Sequence, residues 1–95
     1  MSYSISVGNL AKIQMIASAD WYLEQKPGLE IRFIKNINAA IELVRKNPLK
    51  CQLRYKNVRI CFLRDFDHGI HYIVEDKRIF VIAIYHTSQD TEHWK

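Results

Sequence analysis

His86 closes the most apolar run of the chain, Ile79-Phe80-Val81-Ile82-Ala83-Ile84-Tyr85. An imidazole at a strand end can exchange protons at cellular pH, because its ordinary pKa is about 6.5. His86 is therefore the first choice for a general acid or base, with a simple polar strand terminator as the other reading; His68 and His71 rank behind it. A second chemistry sits upstream. Arg54 and Lys56 alternate with apolar neighbours, and Arg59 occupies the polar parity of the next such segment, so their cations can share one solvent-facing surface. Arginine grips a phosphate bidentately and lysine adds a point charge, which suits a nucleic-acid backbone or an acidic protein segment equally. The plainer reading is a charged strand surface that resists edge aggregation. Trp94 is an aromatic anchor for the C-terminal segment or an interface residue.

Other chemistries lack their residues. Cys51 and Cys61 stand ten positions apart without Cys-x-x-Cys spacing and read as reduced, small hydrophobes; joined to His68 and His71 they match no zinc-finger spacing. There is no glycine-rich dinucleotide fingerprint, phosphate-loop lysine, His-Glu-x-x-His or nucleophile elbow, so nucleotide hydrolysis, zinc proteolysis and serine hydrolysis are unsupported. No metal site and no cofactor are expected.

The charge is concentrated. Seven basic residues, Arg45, Lys46, Lys50, Arg54, Lys56, Arg59 and Arg64, lie between Glu42 and Asp65 with no carboxylate among them. The remainder carries seven basic and ten acidic residues, so the net charge of +4 belongs to one interval. Such a field attracts polyanions or acidic partners.

These residues need a frame, and 95 residues provide one domain, spanning 1–95. Tyr3, Ile5 and Val7 alternate with serines as a short strand does. Leu10, Ile13, Ile16 or Ala17, and Trp21 then recur at helical spacing, with Asn9 placed as a cap and Pro27-Gly28 as a break. Ile31, Ile34, Ile37, Ile41 and Val44 mark a second helix, widened by Phe33 and Ala40 and ended by Asn47-Pro48. Period-two segments follow at Leu53–Tyr55, Val58–Phe62 and Ile70–Val74, and the run from Ile79 to Tyr85 reads as a central strand buried on both faces. The order β-α-α-β-β-β-β predicts an α+β domain, a mainly antiparallel sheet carrying an N-terminal helical hairpin. No window reaches the ~20 apolar residues of a membrane span, and the N-terminus does not read as a signal peptide, so the expected location is the cytoplasm.

Several of these residues, taken in order, resemble the RelE/ParE toxin superfamily of bacterial type II toxin-antitoxin pairs. They are Trp21-Tyr22, Lys26-Pro27-Gly28-Leu29, Arg32-Phe33, Asn47-Pro48, Tyr55-Lys56-Asn57-Val58-Arg59, Phe66, Gly69-Ile70-His71-Tyr72, and His86, Asp90 and Trp94 spaced by four. The pattern is closest to the ParE branch, from which the chain departs at Asp67, Gln89 and Thr91.

The resemblance implies a growth-inhibiting toxin neutralised by a cognate antitoxin with an acidic toxin-binding segment. A ParE-like member binds DNA gyrase without being an enzyme. A RelE-like member is a ribosome-dependent mRNA endonuclease, and this is the alternative. Cleavage by an RNA 2′-hydroxyl needs a base, a cation for the phosphorane and an acid. The basic set of RelE is broken here, with Arg59 and Cys61 in place of two lysines and Gly69 in place of an arginine. His86, Tyr85 and Arg59 are the candidates for a reduced site. As a binder, the protein would use Arg54, Lys56, Arg59, Arg64, His86 and Trp94.

Overall fold

A computed structural model describes residues 3–86. Strand β1 (Ser4–Val7) leads into helices α1 (Asn9–Gln25) and α2 (Leu29–Lys46), then strands β2 (Leu53–Tyr55), β3 (Val58–Phe62), β4 (His68–Glu75) and β5 (Arg78–His86). The five strands form one sheet ordered β1-β5-β4-β3-β2, parallel between β1 and β5 and antiparallel elsewhere. The α+β class and the element order are those expected.

The helices form the hairpin because Gly28 adopts φ 98° between them, a left-handed value that favours glycine. On α2, Phe33, Ile37, Ala40 and Val44 are buried, and Ile34 and Ile41 pack beside them, whereas Ile31 points outward. The core facing them is supplied by Ile70 and Tyr72 of β4 and by Ile79, Val81 and Ile84 of β5. Tyr22, Phe33 and Phe66 add an aromatic cluster with ring centroids 4.9–5.3 Å apart. Asn36 Oδ1 accepts the Asp65 N–H at 3.1 Å, tying the β3–β4 connection to α2.

Three local expectations are revised. The middle strand is β4, not β5: β1 adds to β5 on one side while β3 and β2 add to β4 on the other. All five residues from His68 to Tyr72 are buried, so β4 is covered on both faces, although its histidines and glycine hide this from a hydropathy reading. The cap of α1 is Gly8, with Asn9 already helical and no side-chain cap bond. Gly8 donates its N–H to Val81 O at 2.9 Å, an approach so close that a Cβ there would lie 3.2 Å from the same oxygen. Finally, the stripe Leu10, Ile13, Ile16 and Trp21 that marks α1 as a helix does not face the core; each of these side chains is more than half exposed. The opposite face packs instead, through Ala11, Met15, Ala19 and Tyr22.

Candidate functional site

Strand β1 stops at Val7, paired with Val81, so among the described residues the outer edge of β5 beyond that point has no neighbouring strand. Helix α1 covers it, and Gln14 Oε1 accepts the Ile84 N–H at 2.8 Å in place of a ladder bond. Where the helix and the strand end diverge, a groove of about 540 Å³ opens between Ala17, Ser18, Trp21 and Tyr22 on one side and His68 and His86 on the other.

His68 and His86 are register partners on β4 and β5, and their rings lie 5.0 Å apart in an edge-on arrangement. His86 is half-buried and His68 buried. His68 Nε2 lies 3.2 Å from Ser18 Oγ, and its Nδ1 is buried with no hydrogen-bond partner among the described residues. Burial, and then the neighbouring charge of His86, push the His68 pKa down to about 4 against a smaller opposing effect of Asp67. His68 is therefore neutral at pH 7.

On the other face of the sheet, His71 is enclosed by two tyrosines. Its Nδ1 lies 3.0 Å from the Tyr55 hydroxyl, which donates to it in the neutral tautomer protonated on Nε2, and its ring centroid is 5.3 Å from that of Tyr85. Burial pushes its pKa down to about 4 as well. Nearby, the Arg54 guanidinium stacks on the Phe62 ring at 5.3 Å.

The three residues considered for RNA cleavage do not converge. Tyr85 and His86 are successive on β5 and point to opposite faces, one ring meeting His71 and the other His68. Arg59 pairs with Tyr72, whose own partner on β5 is Val81, five positions before His86. That spacing corresponds to about 16 Å along the strand. The Arg59 guanidinium is also engaged, its Nη1 donating to Cys51 O at 2.7 Å and to Leu49 O at 3.2 Å. At Gly69 there is no room for an arginine, since even a Cβ would come within 2.6 Å of the Ile60 side chain.

Of the other basic candidates, Arg54 and Lys56 are exposed around the turn between β2 and β3. Arg64 is exposed with Nε 3.9 Å from Asp65 Oδ1, and Arg45 is held by Glu42 at 2.7 Å. Arg59 leaves the expected common surface by turning to the loop after α2. Trp94 lies outside the described residues. The features missed in sequence were the pairing of His68 with His86 and the outward apolar stripe of α1. The first needs the strand register. The second had one signal, a helix carrying apolar residues all round.

The family described as ParE toxin of type II toxin-antitoxin system, parDE, matches residues 7–91. Among solved structures, a chain of the "Chromosomal ParDE TA system from P. aeruginosa" superposes with a TM-score of 0.78 at 17% identity, covering 88% of this chain and 95% of that one. At that identity the likeness is one of fold. No curated protein matches the sequence.

Proposed function

The chain belongs to the ParE toxin family of type II toxin-antitoxin systems, and we propose that it inhibits growth by binding a cytoplasmic protein target, DNA gyrase, until a cognate antitoxin neutralises it. The observation that carries a binding mode of action is the exposed stripe Leu10, Ile13, Ile16 and Trp21 along α1. Several large apolar side chains exposed along one helix of a small domain are a typical protein-interaction surface. The separation of Arg59 from His86 and Tyr85 agrees with it, because general acid–base cleavage needs its groups within hydrogen-bonding reach of one phosphate. The exposed cations Arg54 and Lys56 suit the acidic segment of an antitoxin, which they would steer more than dock.

The test is induction of the chain alone in a bacterial host, with DNA breakage and message cleavage measured side by side. Growth arrest with gyrase-dependent breaks is expected. Arrest with cleavage of translated messages would replace this reading by the endonuclease one, and no arrest would remove both. In parallel, Ile13→Asp should leave the fold intact, since surface changes usually stay within about 0.5 kcal/mol, yet weaken binding to the antitoxin or to gyrase at least tenfold. Unchanged affinity for both would take the α1 stripe out of the interface. Joint charge reversal at Arg54 and Lys56 should slow association with the antitoxin.

A further inference from the structure

Strand register brings together two residues that their spacing in sequence keeps apart. Leu53 of β2 faces Arg59 of β3, and the ladder runs one step further, with the Ile60 N–H donating to Gln52 O at 3.3 Å. That bond places Gln52 opposite Ile60, and continuing the same register past the end of β2 places Cys51 opposite Cys61. In an antiparallel ladder that pair is of the non-hydrogen-bonded kind, with Cα atoms about 4.5 Å apart and side chains on one face. That separation lies inside the window in which a disulfide can close without moving the backbone.

The surroundings agree with this placement. Both cysteines are free and half-buried, and both pack against the core edge on the helix-facing side. The thiols are close enough for the Cys51 side chain to raise the Cys61 pKa. The Arg59 guanidinium clips Cys51 O at 2.7 Å, holding the loop after α2 against β3. We propose that Cys51 and Cys61 form a reversible redox site, a cross-strand disulfide that closes under oxidising conditions and fastens the α2–β2 connection to β3. This inference does not depend on the target or the antitoxin.

The chemistry is thiol–disulfide exchange with a small-molecule disulfide such as oxidised glutathione. Burial, and then the adjacent Cys51 thiol, push the Cys61 pKa up to about 12, which disfavours a first attack by its sulfur. The Cys51 thiolate attacks one glutathione sulfur, breaks the S–S bond and releases a glutathione thiolate, which takes up a proton. Cys61 then gives its proton to solvent as its sulfur attacks Cys51, forming the protein disulfide and releasing a second glutathione. Two protein thiols lose two electrons, and the glutathione disulfide gains them.

The experiment equilibrates the full chain with mixtures of reduced and oxidised glutathione, in buffer and in urea, followed by intact-mass and non-reducing peptide mapping. In the native chain the product should be the Cys51–Cys61 link, lower in mass by two hydrogens. It should form at a smaller fraction of oxidised glutathione than in urea. The link closes a loop of about ten residues, so the oxidised chain should show an unfolding constant about 100-fold smaller than the reduced one. Cys51→Ser and Cys61→Ser should give single glutathione adducts or no reaction, and neither should gain stability on oxidation. Separate adducts on both cysteines of the native chain, or a link that forms more readily in urea, would overturn the proposal. Wild-type mapping alone decides this if a serine variant fails to fold.

Discussion

Lowering the pH from 7 to 5 acts on two buried imidazoles, His68 and His71, both held with pKa values of about 4 by burial. In the unfolded chain each returns to about 6.5. Because the folded-state value is depressed, the stability associated with each group is complete above about pH 6.5 and is lost as the pH falls toward 4. At pH 5 an unfolded imidazole is almost fully protonated while the folded one is mostly neutral, and the difference amounts to about 2 kcal/mol per group. Two groups on opposite faces of β4 should add, giving about 4 kcal/mol. That is a large share of the ~5–15 kcal/mol typical of a whole domain. Urea unfolding at half-unit pH steps from 7.5 to 5 (about 0.5 unit apart) provides the curve, and imidazole NMR titration assigns the groups. His71→Phe should lower stability at pH 7, because Tyr55 loses its partner, and should remove about half of the pH dependence. A flat profile over this range, or His68 and His71 titrating near 6.5, would refute burial as the cause of the depressed values.

Two further outcomes follow from contacts already described. Gly69→Ala places a Cβ 2.6 Å from Ile60 Cγ2 and 3.4 Å from the Phe62 ring, so it should cost about 1–3 kcal/mol through overpacking of the β3–β4 ladder; an unchanged urea midpoint would show that Ile60 can move aside. Arg59→Met removes the two hydrogen bonds to Leu49 O and Cys51 O and should cost about 1–3 kcal/mol in the free protein. Loss of partner binding with no loss of stability would make Arg59 a contact residue instead.

What the sequence determined by itself is the list and order of elements. Alternation at Tyr3–Val7 and in the three segments after Pro48, helical spacing on either side of Pro27-Gly28, and the unbroken apolar run before His86 are local signals, because backbone geometry sets their period wherever they sit. The resemblance to a toxin family rested on the same order, carried by residues at turns and element ends, and the family match bears it out. Periodicity says which residues share a face. It does not say which face is covered, and so the stripe that revealed α1 proved to be its outward one, the core being reached through the smaller Ala11 and Ala19 with Met15 and Tyr22. Nor does it fix register. Only the pairing of strands put His68 beside His86 and Tyr85 beside Gly69, and brought the chain before β2 back along β3 so that Gln52 meets Ile60. The same pairing sent the Arg59 guanidinium to the backbone of Leu49 and Cys51. These juxtapositions depend on where each turn closes and on the irregularities between Leu53 and Tyr55 and between His71 and Tyr72. A one-residue slip there moves every later side chain to the opposite face, so the decision belongs to the packed sheet and not to any single segment.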